Sequence, residues 1–284
     1  MVTQPQADVA PAPVITGGAM VAGGAALTGS ASLAAQARLA AGFYSAQAFL
    51  AAASVRDILT VWSQLNQQDV RSSWPALRTA LSALIQNRYS QAATLGQSYY
   101  QQARQAANIP GVADVVTPEM PSDDLIGAVL DATGPYGMLG RIKQGQQVTQ
   151  AAQNSGVIMA GAGQRLITNG ARQAVLQSVK ADAKAVGWMR VTGPNPCAFC
   201  AMLSSRGFSY KSEGSASFQA HDHCMCQAVP AWSKEVVQAT RNNPLYQQWR
   251  TATKGKSGAD ALRAWRSYWD AQQNRDGVRV LPAA

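Results

Sequence analysis

The residues best suited to metal or redox chemistry are concentrated in one part of this sequence. All four cysteines and both histidines lie within 30 residues, between Cys197 and Cys226. Cys197 and Cys200 form a C-x2-C pair, and a second group follows after 20 residues, with His221, His223, Cys224 and Cys226. Structural zinc sites are typically built from two short groups of thiolate and imidazole ligands that a loop separates. The spacing therefore predicts a metal site.

The second group offers more ligands than one zinc ion needs, since zinc usually takes four in a tetrahedron. We expect Cys197, Cys200, His221 and Cys226 to bind the ion, with Cys224 as the main substitute. The expected role is structural. A segment the size of residues 187–231 buries too little apolar surface to hold its own fold, and a bound ion or cross-link compensates for that.

Other readings of the cluster remain open or can be excluded. Disulfides between the two groups, or free buried thiols, are alternatives to a metal. C-x2-C is also the thioredoxin motif, but thioredoxins carry it in an α/β unit and the sequence upstream here is helical. The segment "PCAFC" matches half of the deaminase signature, whose upstream H-x-E is missing, and H-E-x-x-H is missing too. We expect no enzymatic activity.

Long helices are predicted to precede and position the cluster. The helical pattern begins near Ser32, and Ser54 with Asp57 resembles a capping box that starts a helix. A second helix is predicted to start at Ser73 and to run to about Ala107. A short helix capped near residue 122 follows.

A further helical region is predicted over residues 137–186. Interior glycines at positions 156, 161, 163 and 170 weaken this prediction, because each costs about 1 kcal/mol relative to alanine. Gly187 is its predicted end.

The residue pattern changes after the predicted helical domain. The segments "GWMRV", "GFSY" and "QAVP" are predicted to be short strands, and two amphipathic helices follow Pro230. The sequence thus predicts a mainly α protein with a small β-rich metal-knuckle module. Its expected parts are a flexible N-terminal arm (1–30), a helical domain (31–186), the Cys/His module (187–231) and a basic helical tail (232–284).

Charge is sparse and unevenly distributed. Charged residues are 14% of the chain, and low charge is typical of a protein that sits within an assembly. Residues 1–135 hold six basic and eight acidic side chains, a net −2, whereas residues 136–284 hold 18 and seven, a net +11. We expect no secretory signal and no membrane span, because the uncharged segment 9–37 is interrupted by proline and glycine.

The basic half suggests a polyanionic partner. Candidate nucleic-acid contacts are Arg190, Arg206, Lys211, Arg263 and Arg266, although a solvated surface explains them equally well. Leu262, Trp265 and Trp269 recur at helical spacing, which favours a packing stripe over a stacking surface for bases.

Residues 187–231 resemble one known family. "GWMRVTGPNPCAFCAMLSSRGFSY" followed by "HDHCMCQAVP" is similar to the Mu F-like minor head proteins of tailed bacteriophages, and most of all to the actinobacterial-phage type. The shared features are the C-x2-C pair, a turn at Ser205–Gly207 with Tyr210 after it, and a closing H-x2-C-x-C before Val229–Pro230. The helices upstream fit this family only in general character.

The resemblance implies a role and a place. It implies a minor capsid or head morphogenesis protein, assembled in the host cytoplasm and located inside the phage head. The implied partners are the portal protein, the major capsid protein, or both. A module that contacts packaged or ejected double-stranded DNA is the alternative. No membrane and no small-molecule substrate are expected.

Overall fold

The computed structural model describes residues 31–193, 196–207, 218, 220–234 and 244–275. Helices make up most of this part of the chain, and its one sheet has two strands. The predicted fold class, mainly α with a small β part, is thereby confirmed. The predicted arm at 1–30 and most of the predicted strand "GFSY", at positions 208–210, lie outside the described residues.

Three long helices form the body of the protein, namely α1 (Ala31–Trp62), α2 (Val70–Ala106) and α5 (Val148–Ala181). Contacts between α1 and α2 run in opposite sequence order, so the two helices are antiparallel. Near one end the rings of Phe43 and Tyr99 stack with centroids 4.2 Å apart. No helix in the described ranges is long and apolar enough to cross a membrane.

Glycines let α5 approach its neighbours closely. A Cβ at Gly170 would lie 2.5 Å from the backbone oxygen of Tyr89 on α2, and one at Gly163 would lie 2.6 Å from Cδ1 of Ile58 on α1. At Gly170 the close atom belongs to the backbone, so packing requires glycine there, whereas at Gly163 the Ile58 side chain would have to move. The four interior glycines that weakened the helix prediction are therefore contact points within one continuous helix.

Several predicted helix boundaries are wrong. The second helix, predicted to start at Ser73, begins at Val70 after the N-cap residue Asp69. Ser54 does not start a helix, because α1 continues through it and the buried Ser54 hydroxyl donates to the carbonyl of Leu50 at 2.7 Å. The region predicted over 137–186 is two helices, with Gly145 (φ 92°) between them, and the second ends at Ala181. Gly187 lies beyond that end, as the first residue of a strand.

Two short helices cover one side of the bundle. They are α3 (Asp123–Thr133) and α4 (Pro135–Lys143), and both pack against α5. As predicted, α3 begins after Ser122, whose side chain accepts a hydrogen bond from the backbone nitrogen of Leu125 at 3.2 Å. Such a cap satisfies one of the free donors at a helix start.

The two-stranded sheet joins the two ends of the predicted Cys/His module, residues 187–231, which is called the Cys/His segment below. Strands β1 (Gly187–Val191) and β2 (Gln227–Ala231) pair antiparallel with Met189 opposite Val229, and all ten of their residues are buried. They belong to the same hydrophobic core as the three long helices, and Cys200, Cys224 and Cys226 are part of it. The sheet therefore holds the Cys/His segment against the bundle.

A second, smaller core forms around the helix that follows β1. Helices α6 (Ala198–Ser205), α7 (Pro244–Ala252) and α8 (Gly258–Arg275) share it, and its buried members are Ala201, Met202, Leu245, Trp265 and Trp269. Both C-terminal helices thus pack on the element that carries the C-x2-C pair.

Candidate metal centre

The first two candidate ligands lie at the start of α6. Cys197 is the N-cap residue, and its Sγ accepts a hydrogen bond from the backbone nitrogen of Cys200 at 3.4 Å. This cap turns the Cys197 thiol over the first turn of the helix, on the side where Cys200 emerges. The C-x2-C pair therefore converges because its spacing coincides with a helix N-terminus.

Two tryptophans of α8 hold this helix start in place. The indole nitrogen of Trp265 donates to the carbonyl of Ala198 at 2.6 Å, and that of Trp269 donates to the carbonyl of Pro196 at 2.8 Å. Both tryptophans are buried, which confirms them as packing residues. Leu262, predicted to share their stripe, is instead half exposed.

The second group of candidate ligands lies on a tight turn before β2. The backbone nitrogen of Cys224 donates to the carbonyl of His221 at 3.1 Å, and His223 inside the turn has a φ of 59°. A positive φ is uncommon for residues other than glycine and marks a sharp change of direction. The ring of His223 lies against Gly161 of α5, outside the group of converging ligand atoms.

The structure places the five predicted metal ligands in two overlapping groups. Nε2 of His221 is 2.9 Å from Sγ of Cys197 and 3.3 Å from Sγ of Cys200, which is itself 3.7 Å from Sγ of Cys224. The ligand atoms form two overlapping groups, each within 4.8 Å, that share Cys200; Cys226 belongs to the second. Either group could hold a metal ion.

The four cysteines all lie in the described part of the chain, and all are free thiols. The 3.7 Å between the sulfurs of Cys200 and Cys224 is well beyond a disulfide bond of about 2.05 Å. The cluster is therefore drawn together without a covalent cross-link.

The imidazole of His221 is oriented by its own neighbour. Its Nδ1 lies 2.7 Å from the carbonyl oxygen of Asp222. A carbonyl can only accept, so Nδ1 carries the proton and the lone pair of the neutral ring lies on Nε2, toward the thiols. Histidines that ligate metals are commonly fixed in this way by a carbonyl or carboxylate.

Two of the four thiols favour the ionised form, whereas hydrogen bonds to these neighbouring sulfurs raise the pKa of Cys200 and Cys226. Hydrogen bonds from the Cys200 thiol and from His221 lower the pKa of Cys197 to about 4. The same pairing raises the pKa of His221 to about 9. Hydrogen bonds from Cys200 and Cys226 lower the pKa of Cys224. Since a thiolate is the form that binds metal, an incoming cation would replace protons that the cluster already shares.

Two residues of the site were missed by sequence reasoning. Arg172 and Arg165 of α5 bond to the turn that carries the second ligand group. Together with Gly161 and Thr168 they fall at i, i+4, i+7 and i+11, on one face of α5. The signal available in the sequence was this stripe of small and polar residues along one face of a long helix.

The five candidate nucleic-acid contacts differ in their exposure to solvent. Arg190 is 2% exposed, with its guanidinium 3.7 Å from the centroid of the Phe218 ring, so in the folded chain it does not face a nucleic acid, contrary to the prediction. Lys211 lies outside the described residues. The side chains that are exposed are those of Arg206, Arg263 and Arg266.

The comparison with known protein families covers both the bundle and the cluster. The profile of the VG15 protein family matches residues 34–252. The chain belongs to the VG15 protein family. The matched span begins in α1, includes every candidate ligand and ends with α7.

One curated relative is a protein of a bacteriophage. The chain is 29% identical over 148 residues to the Gene 15 protein of Mycobacterium phage D29. The alignment covers 51% of this chain and 50% of that protein, so the chain spans about half the length of this relative. No solved structure matches. The expectation of a phage protein is confirmed, and the narrower Mu F-like identity is treated as a proposal below.

Proposed function

We propose that this protein is a structural component of a phage head, a minor capsid or head morphogenesis protein whose Cys/His cluster binds one structural zinc ion. The observation that carries the metal part is the convergence of Cys197, Cys200 and His221, with Cys224 and Cys226 beside them. Membership of the VG15 family and similarity to a mycobacteriophage protein support the phage part. On this proposal the protein catalyses no reaction and takes no small-molecule substrate.

The donor set suits zinc in a closed site. Three thiolates and one imidazole are a common structural zinc set, and Zn–S bonds of about 2.3 Å place two tetrahedral thiolates about 3.8 Å apart. The 3.7 Å between Cys200 and Cys224 fits that edge, so we propose Cys224 as the fourth ligand in place of Cys226. In this set Cys200 is the residue that belongs to both overlapping groups of ligand atoms.

A matched histidine pair tests the ligand set. His221→Asn removes a proposed ligand, whereas His223→Asn changes the neighbouring ring at a positive φ that asparagine tolerates. We expect the purified His223→Asn protein to retain about one zinc per chain and the His221→Asn protein to lose it. Equal zinc content in both variants contradicts the proposed set.

The role in the head is proposed from the architecture and the family. Large apolar side chains reach solvent on the helical part, among them Phe49 on α1 (78% exposed) and Tyr136 on α4 (68% exposed). We propose that this helical part docks on the portal or the inner capsid, with the zinc centre fixing the Cys/His segment beside it. The protein then resides in the capsid interior after assembly in the host cytoplasm.

Virions made without the protein test this role. We expect electron microscopy to show a lower yield of filled heads and an altered portal region, and protein analysis of wild-type virions to detect the chain. Normal yield together with an unchanged portal region contradicts the proposal.

A second candidate function, binding to packaged or ejected DNA, is favoured by exposed cations near the C-terminus of the described chain. Lys254 and Lys256, in the connection between α7 and α8, and Arg263 and Arg266, on α8, all face solvent. Phosphate contacts predict that affinity for duplex DNA falls steeply with salt, and that Arg266→Gln makes the fall less steep. Binding that does not change with salt contradicts this candidate.

A further inference from the structure

One buried cation lies directly behind the second group of candidate ligands. Arg172 of α5 is 1% exposed. Its Nη2 donates to the carbonyl of Cys224 at 2.5 Å, and its Nε donates to the carbonyl of Cys226 at 2.9 Å. One guanidinium thus binds the backbone of both second-group cysteines, at its planar fork of donors.

The guanidinium is itself fixed in position by the helix. Its Nη1 donates to Oγ1 of Thr168 and to Oδ1 of Asn169, each at 2.8 Å. The Phe218 ring lies beside it, with the centroid 5.1 Å from Cζ. With partners on three nitrogens, the group has little freedom to turn away from the cysteine carbonyls.

The same face of α5 also holds the turn that carries His221. Nε of Arg165 donates to the Asp222 carboxylate at 2.7 Å, and the carbonyl of Asp222 is the acceptor that orients His221. Two arginines, two helical turns apart, therefore contact the segment 221–226 at both ends.

We propose that Arg172 is a positioning residue of the metal centre, which holds the backbone of Cys224 and Cys226 so that their thiolates meet Cys200 before the ion binds. This inference rests on the proposed metal binding and deepens it. Outer contacts of this kind commonly change metal affinity by about 10- to 100-fold, although they never touch the ion.

Charge supports the assignment. A buried cation is costly unless anions lie near it. A site with three thiolates and one imidazole bears one net negative charge when it binds a divalent ion, and the guanidinium balances that charge.

Cobalt binding separates this role from a merely structural one. Tetrahedral Co²⁺ in thiolate sites absorbs visible light, so titration with Co²⁺ and a competing chelator yields both the dissociation constant and the ligand geometry. The proteins compared are the wild type, Arg172→Lys, Arg172→Met and, as the matched control, Arg88→Met. Arg88 pairs with Asp57 between α1 and α2, in the long-helix bundle.

We expect the dissociation constant for Co²⁺ to rise about 10- to 100-fold in Arg172→Met and by less in Arg172→Lys, which keeps the charge but can reach only one carbonyl. Arg88→Met should match the wild type. Circular dichroism and urea titration of the metal-free proteins establish that the compared variants are folded.

The outcomes are distinguishable. If Arg172→Lys is folded and binds Co²⁺ with the wild-type constant and spectrum, the positioning role is wrong, even if Arg172→Met does not fold. If the wild-type protein itself binds no Co²⁺, the metal part of the proposed function fails, and this inference fails with it. A weakened constant in Arg172→Lys, with Arg88→Met unchanged, supports the positioning role.

Discussion

The Asp182 carboxylate, at the end of α5, is a buried polar link between the bundle and Trp232, the residue after β2. Its Oδ2 accepts hydrogen bonds from Arg104 at 2.8 Å, Trp232 at 2.9 Å and Tyr100 at 3.0 Å, and its Oδ1 accepts one from the backbone of Lys184. Substitution of Asp182 should therefore loosen α2, α5 and the sheet at the same time.

The loss of unfolding free energy on substitution of Asp182 follows from the pKa of its carboxyl group and from its burial. Burial alone would raise the pKa of Asp182, but hydrogen bonds from Trp232, Arg104, the Lys184 backbone and Tyr100 lower it to about 2. Against an unfolded value of about 3.9, the charge contributes at most about 2–3 kcal/mol at neutral pH. Asp182→Asn should cost about that much, and Asp182→Ala about 3–5 kcal/mol, because the buried Arg104 loses its partner.

Urea denaturation measures this effect. We expect the midpoint for Asp182→Asn to fall with no change in slope, since the surface exposed on unfolding stays the same. The matched control is Asp57→Asn, whose partly exposed pair with Arg88 should cost less than about 1 kcal/mol. If Asp182→Asn loses no more than Asp57→Asn, the carboxylate is not the link described here.

Three further predictions concern the acid titration of Asp182, the packing of two glycines and the hydrogen bond of Trp265. Because the folded pKa of Asp182 is lowered, its contribution is complete above about pH 4 and is lost as pH falls toward 2, so acid titrations of wild type and Asp182→Asn should converge there. Gly170→Ala should destabilise by about 1–3 kcal/mol through the clash with Tyr89, while Gly42→Ala, in open space, should stabilise by up to about 1 kcal/mol in thermal unfolding. Trp265→Phe should cost about 1 kcal/mol by the same assay, since the carbonyl of Ala198 loses its donor; no loss would refute that role.

The position of the metal cluster could be predicted because its information is local. A C-x2-C pair and an H-x2-C-x-C group need only two turns and a short loop between them to converge, and spacing shows that. The predicted choice of His221 over His223 agrees with the structure, but the spacing gave no physical reason for it. Both histidines have the right chemistry, and only the backbone of the turn, with a φ of 59° at His223, directs one ring to the thiols and the other to α5.

The links between distant segments were beyond sequence reasoning. Asp182 reads as an ordinary acidic residue after a helix, yet its partners stand 78 positions before it, at Arg104, and 50 after it, at Trp232. Arg172 likewise reads as a solvated arginine, but it is buried behind the cysteines. Such pairings depend on how the helices pack, which periodicity does not specify.

Local signals also misled where tertiary contacts override them. Ser54 and Asp57 have the spacing of a capping box, but burial of Ser54 within the core continues the helix through that point. In contrast, Ser122 lies at a surface turn where nothing competes with the cap, and the prediction there is confirmed.

Native mass spectrometry of the purified protein tests the central claim most directly. The account predicts one zinc ion per folded chain in the wild type, and loss of that ion in Cys197→Ser together with the order of the Cys/His segment. A folded wild-type chain whose mass shows no metal, and whose four thiols all react freely with an alkylating reagent, would contradict it.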